Sequence, residues 1–136
     1  MESTDWVAIR AEKESQNIVH DIEAISTSPL YKSSDIGIYM ISAALALKHN
    51  IKPIREYQRE TDVTNKNLIT EESKWFMSML YYSVDKDKDL KKLRDKTAVV
   101  KNFEQYAQAG LAQLYEMCKD VNCQDELKRM IDAAAQ

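Results

Sequence analysis

The chain has 136 residues, of which 44% are hydrophobic, and a formal net charge of −3. This length and composition fit one folded domain, residues 1–136, and exclude collagen-like, low-complexity and disulfide-rich chains. The negative net charge argues against attraction of the whole molecule to DNA or anionic lipid. No apolar run is long enough for a membrane span, and residues 1–5 lack the features of a signal peptide, so we expect a cytoplasmic protein with no membrane contact.

Hydrophobic periodicity predicts an all-α fold, a single-domain compact bundle of five to six helices. The first helix is predicted over about 4–26 from five apolar residues at helical spacing, namely Trp6, Ile9, Ile18, Ile22 and Ile25. Pro29 ends it. Ser34 and its neighbours offer an N-cap to a second helix, which is apolar on nearly every face over 36–47 and therefore central and buried. Asn50 suits the left-handed conformation at its end.

Residues 51–69 lack clear periodicity and predict an irregular connection with at most one helical turn. Thr70 is the expected N-cap of a third helix that ends near Val84 and carries an apolar stripe, Trp75, Phe76, Met79 and Leu80. A short charged helix is predicted over 87–96, a longer one over 97–118 and a last one from about 123. No segment alternates convincingly enough to predict a strand.

Gly37 and Gly110 fall inside predicted helices, where glycine costs about 1 kcal/mol relative to alanine. We therefore expect that each glycine allows a close approach between helices. The small residues Ala43, Ala44 and Ala46 of the central helix, together with those around Gly110, predict that these two helices touch. A homodimer seam is the alternative use of the same small residues.

The sequence offers little support for catalysis or a cofactor. His20 and His49 have no second metal ligand three or four residues on, and Glu23 and Asp21 beside His20 predict at most a polar pair. Cys118 and Cys123 are expected to be reduced thiols. With only two glycines, a glycine-rich phosphate loop is excluded. We therefore predict no enzyme, no catalytic residue, no cofactor and no metal.

A calcium loop is suggested by aspartates at 85, 87 and 89, which occupy the first, third and fifth positions of such a loop. Leu90 stands where glycine is needed, and Lys96 where a bidentate glutamate is needed. The aspartates are better explained as the start of a charged helix.

Two groups of basic residues are the candidates for contact with a partner or a nucleic acid: Lys48, Lys52, Arg55, Arg59, Lys88, Lys91, Lys92 and Lys96. Lys88, Lys92 and Lys96 share one face if 87–96 is helical, and such a ridge can contact phosphates. Interspersed acidic residues favour a solvated face with local ion pairs instead.

Two segments carry a resemblance: residues 35–50 (DIGIYMISAALALKHN) with Lys52 and Pro53 after them, and residues 103–114 (FEQYAQAGLAQL). Together they resemble small helical proteins of the DNA phosphorothioation (Dnd) associated protein 4 type. Ala46, where that pattern has glycine, and Asn50 depart from it. The resemblance implies a cytoplasmic accessory protein of a prokaryotic phage-defence island that works beside larger ATPases and nucleases, and it implies no catalytic residue.

We therefore expect a non-catalytic accessory or adaptor subunit that mediates protein–protein interaction in an anti-phage or DNA-modification-linked system. The larger partner is expected to be an ATPase or nuclease and to contact residues 51–69 and their flanks. The alternative is a nucleic-acid-binding small subunit that uses a local basic patch.

Overall fold

Six α-helices, two short strands and two 3-10 helices make up the computed structural model, which describes residues 4–134. The helices are α1 (Lys13–Glu23), α2 (Asp35–Lys48), α3 (Glu71–Val84), α4 (Lys96–Ala109), α5 (Leu111–Lys119) and α6 (Val121–Ala134). The strands are β1 (Ile9–Ala11) and β2 (Thr61–Thr64), and the 3-10 helices span Lys66–Leu68 and Leu90–Arg94. The predicted all-α bundle of five to six helices is confirmed, with a small two-stranded sheet added.

The central helix is α2, as predicted, and it packs mainly on α4. Ile38, Tyr39 and Leu45 are buried along it. Its start is fixed by the Ser34 side chain, which accepts a hydrogen bond from the Gly37 amide, and the chain leaves it through Asn50 at φ 53°. Both local predictions are confirmed. Tertiary burial, rather than a polar outer face, keeps this apolar helix in place.

Small residues allow α2 and the end of α4 to approach each other closely. A Cβ added to Gly110 would overlap the backbone of Ser42, and the Ser42 hydroxyl donates to the Ala107 carbonyl. Ala43 and Ala107 have no exposed surface. The predicted contact between these helices is confirmed, and it lies within one chain.

The predicted first helix over 4–26 and the expected absence of strands are wrong. β1 pairs antiparallel with β2, with Arg10 opposite Asp62 and Ala11 opposite Thr61. The other side of β1 is held by α4, because the Arg10 amide donates to the Glu104 carboxylate. The alternation of Ile9 and Ala11, both buried, with half-buried Arg10 was the available strand signal. α1 starts only at Lys13.

Four more predicted segments differ from the structure. The helix predicted over 97–118 is divided at Gly110 into α4 and α5, so that α5 turns to pack on α1 and α6. The charged segment 87–96 forms only the 3-10 helix Leu90–Arg94, and the 51–69 connection contains β2 as well as a helical turn. The last helix begins at Val121, and residues 135–136 lie outside the described range.

From residue 4 to residue 134, no helix has both the length and the apolar character that crossing a membrane requires.

Candidate functional site

An apolar groove with a volume of about 370 Å³ lies between α2 and α3. Both helices pack on α4 but contact each other at few points, so their facing sides are left apart. The Phe76 ring lines the groove and packs edge-on against the buried Phe103 ring of α4, with centroids 6.0 Å apart and planes at 88°. The groove is lined by Ala44, Leu47, Lys48, Phe76, Met79, Leu80 and Ser83. Lys48 is the one charged residue among those that line the groove. The groove is therefore suited to bind the apolar side of a ligand.

Three large apolar side chains are exposed at this groove or beside it. Leu47 and Met79 line it and are 40% and 36% exposed. Trp75 is 68% exposed and precedes Met79 by four residues, which places it on the same side of α3. A tryptophan left in water beside an apolar groove is typical of a surface that binds another molecule.

A second hollow of about 220 Å³ extends the apolar surface toward α6. Ala44 and Phe76 line both hollows, and Met130 and Ile131 of α6 close the far side of the second. The two hollows therefore form one continuous apolar face across three helices, and we call the face lined by these residues the α2/α3 face.

The stripe predicted on α3 is divided by the structure. Leu80 is buried, but Trp75 and Met79 lie on the exposed side. Met77, which the stripe did not include, is fully buried. The sequence shows that α3 is apolar on more than one side, but it does not show which side another element covers, so this exposed face was missed.

The first basic group, Lys48 to Arg59, is dispersed. Lys48 lies 4.0 Å from Glu126 of α6, and Arg55 makes a long 3.4 Å contact with Gln105. Lys52 is exposed. Arg59 instead forms part of a buried polar network, and the segment that carries it is fixed against α4, where the Ile54 amide donates to the Gln105 carbonyl at 3.0 Å.

That network is centred on Glu104, whose side chain is 1% exposed. Its carboxylate accepts hydrogen bonds from the Tyr57 hydroxyl at 2.6 Å, from the Arg10 amide at 2.8 Å and from two guanidinium nitrogens of Arg59 at 2.9 Å. Burial and the bond to Glu104 raise the pKa of Tyr57 above its usual range. Because every one of these bonds ties residues 51–69 or β1 to α4, the network stabilises the fold.

The second basic group is not a helical ridge, because 87–96 is not an α-helix. The Lys88 ammonium donates to the Tyr82 and Ser83 carbonyls at the end of α3, and Lys96 lies 4.8 Å from the Trp6 ring centroid. The Lys92 Nζ atom forms ion pairs with Asp85 Oδ1 at 3.0 Å and with Asp87 Oδ2 at 2.9 Å. Its ammonium thus occupies the centre of the calcium-like segment. Lys91 points to solvent.

A polar cleft of about 430 Å³ nevertheless brings the two basic groups together. Arg55 from the first and Lys86 and Lys92 from the second line it. Tyr81 and Tyr106 line it as well, with Asp85, Asp87, Val84 and Asn102. The Asn102 amide nitrogen is buried and has no acceptor among the described residues. Two carboxylates beside three cations leave this cleft with little net charge.

A second polar cluster, which neighbours in sequence did not indicate, joins α1 to the start of α2. The ligand atoms of His20, Glu23 and Asp35 all lie within 4.8 Å of one another. Burial, a hydrogen bond to Asp35 and the charge of Asp35 raise the pKa of Glu23 to about 7. Helical spacing relates His20 only to residues near it in the chain. Asp35 comes close to His20 because the turn over 24–34 brings the start of α2 back to α1.

Comparisons with protein-family models, with curated proteins and with solved structures gave no match.

Proposed function

We propose that this chain is a non-catalytic accessory subunit that binds an amphipathic helix of a larger protein on the α2/α3 face. The observation that carries the proposal is the 68% exposed Trp75, which lies one residue before Phe76 and four before Met79, two residues that line the apolar groove. Helix-in-groove recognition buries apolar residues spaced three and four apart, and a groove between two helices fits such a row.

The energy of binding would come mainly from Trp75, Met79 and Leu47. Removing apolar surface from water contributes about 25 cal/mol per Å², and truncation of a buried interface tryptophan typically costs about 2 kcal/mol or more. Lys48 at the edge of the groove favours an acidic residue on the flank of the partner helix. The occupant we propose is thus an apolar helical stripe with an acidic margin.

The biological setting we propose follows from the sequence resemblance alone. It is a cytoplasmic phage-defence or DNA-modification-linked complex in which the partner is an ATPase or a nuclease. The proposed contact surface differs from the 51–69 segment expected from the sequence, because Tyr57 and Arg59 of that segment face Glu104.

The test compares three tagged full-length chains expressed in the native host: wild type, Trp75→Glu and Leu68→Glu. Leu68 is 73% exposed on the 3-10 helix Lys66–Leu68, outside the α2/α3 face, and so provides a matched apolar-to-acidic control. We expect one protein to be retained by wild type and by Leu68→Glu and lost from Trp75→Glu. Mass spectrometry identifies it.

The identified protein is then purified and titrated into a Trp6→Phe variant, in which Trp75 is the one remaining tryptophan. Burial of Trp75 by the partner predicts a blue shift of its fluorescence. Equal retention by all three chains, or binding with no change in the Trp75 emission, would refute the proposed surface.

A second candidate function, a nucleic-acid-binding small subunit, rests on the polar cleft, where Arg55 and Lys86 meet beside Tyr81 and Tyr106. Cations with aromatic rings nearby are the side chains that bind single strands. Retention on single-stranded DNA or RNA that falls steeply with salt, and that is lost in Arg55→Glu with Lys86→Glu, is the outcome that would favour it.

A further inference from the structure

The cluster of His20, Glu23 and Asp35 has the composition of a metal-binding site. It supplies one imidazole nitrogen and two carboxylate oxygens from two helices, all within 4.8 Å of one another. His20 and Glu23 are three residues apart on one side of α1, and Asp35 is the first residue of α2. Metal sites in helical proteins use the same spacing of two ligands on one helix and a third from another.

The separation of two of the three ligand atoms fits a small divalent ion. Two ligands about 2.1 Å from a tetrahedral ion lie roughly 3.4 Å apart. The His20 Nε2 and Asp35 Oδ2 atoms are 3.6 Å apart, which is too long for a direct hydrogen bond and close to that separation. The His20 side chain is 57% exposed and therefore has room to move toward an ion.

A neighbouring side chain already orients two of the ligands. The Gln16 amide nitrogen donates to Asp35 Oδ2 at 2.5 Å and lies 3.4 Å from His20 Nε2, so this amide bridges the two ligand atoms and a bound ion would replace it there. The Tyr39 hydroxyl donates to the Gln16 carbonyl oxygen at 2.8 Å, which fixes the amide in that sense.

An independent observation is a buried carboxylate oxygen that lacks a hydrogen-bond donor. Glu23 Oε1 is buried, and no donor among residues 4–134 reaches it. A buried carboxylate oxygen without a hydrogen bond is costly, and the negative charge of Asp35 lies against the same carboxyl group, whose one partner there is a hydrogen bond shared with Asp35. A divalent cation placed among the three atoms satisfies both carboxylates at once.

We propose that His20, Glu23 and Asp35 bind one divalent transition-metal ion, with Zn²⁺ as the tightest of the common candidates after copper. One imidazole and two carboxylates, with no thiolate, suit Zn²⁺, Co²⁺ and Mn²⁺ better than soft ions. The ion ties α1 to α2 across the turn over 24–34. This proposal is independent of the α2/α3 face.

The experiment titrates the chelator-treated full-length chain with Zn²⁺, Co²⁺ and Mg²⁺ by calorimetry at about pH 8, because metal ligands bind in their deprotonated forms. We expect one Zn²⁺ per chain, weaker Co²⁺ binding with visible absorption bands, and Mg²⁺ binding at least tenfold weaker than either. His20→Ala, Glu23→Gln and Asp35→Asn should each weaken Zn²⁺ binding at least tenfold.

His49→Ala and Asp21→Asn are the matched controls, since they remove the other imidazole and an exposed carboxylate adjacent to the site, and both should bind Zn²⁺ as wild type does. A measurement on the wild type guards against misfolded variants: Zn²⁺ should shift the imidazole NMR signals of His20 and leave those of His49 in place. No saturable binding by the folded wild type, or equal binding by the ligand variants, overturns the proposal.

Discussion

Arg59 and Glu104 form a two-pronged ion pair in which the guanidinium Nε and Nη2 atoms each lie 2.9 Å from a different carboxylate oxygen. The two partners differ greatly in exposure, because the Glu104 side chain is 1% exposed and that of Arg59 is 39% exposed. The main role of the pair is therefore to compensate the buried negative charge of Glu104.

Replacing Arg59 by methionine should lower the free energy of unfolding by about 3 kcal/mol, because Glu104 keeps only the Tyr57 and Arg10 donors. Urea denaturation measures the loss. Arg55→Met, which removes an exposed arginine with one long contact, should change stability by less than about 0.5 kcal/mol. Similar losses in the two variants would show that Arg59 contributes no more than a surface cation.

Gly110→Ala should destabilise the protein by about 3 kcal/mol, since the added methyl group overlaps the Ser42 backbone, which cannot move without separating α2 from α4. Gly37→Ala is the comparison. There the new Cβ lies 3.0 Å from a side-chain oxygen of Ser34, and the gain of about 1 kcal/mol in helix propensity offsets the crowding. Thermal unfolding of both variants tests the difference, and a stable Gly110→Ala chain would contradict the close approach.

Removal of the Glu23 charge should alter how stability depends on pH in the metal-free protein. The folded-state pKa of Glu23 is raised to about 7, so the folded chain binds this proton more tightly than the unfolded chain, and stability falls as pH rises from about 4.5 through about 7. Glu23→Gln should therefore exceed wild type by on the order of 1 kcal/mol at about pH 8, a figure reduced for solvent screening. The two should converge below about pH 4.5, and parallel pH profiles would contradict this.

Trp75→Gln should leave stability within about 0.5 kcal/mol of wild type, because the ring is largely in water. Phe76→Ala, one residue on, should cost about 3 kcal/mol, since its ring packs against Phe103. Chemical denaturation of both variants measures the contrast. A large loss from Trp75→Gln would assign the tryptophan to the fold and remove it from the proposed interface.

Local features of the helices were predictable, because each depends on a few neighbouring residues. Ser34 and Thr70 cap α2 and α3 as expected, and the Thr70 side chain accepts from the Ser73 amide at 3.1 Å. The strand β1 was not predicted, because Trp6 and Ile9 fit a helical spacing as well as Ile9 and Ala11 fit a strand, and contacts with the distant β2 decide between the two.

The site residues were harder to predict for the same reason. Asp35 reaches His20 only through the turn over 24–34, and no pattern around His20 contains that contact. The exposure of Trp75 follows from where α2 and α3 sit on α4, and the identity of a side chain does not encode whether a neighbour covers it.

The pairing of β1 with β2 also bears on how the chain folds. Arg10 pairs with Asp62, and both α1 and α2 lie between these two residues in the chain. Pairing the strands therefore closes a long loop, and contacts formed earlier have to offset the loss of chain entropy. We expect the α2–α4 helix pair to assemble in the transition state, with φ-values near zero along β1. The amino-terminal strand would then be the last element to dock and the first to exchange its amide hydrogens.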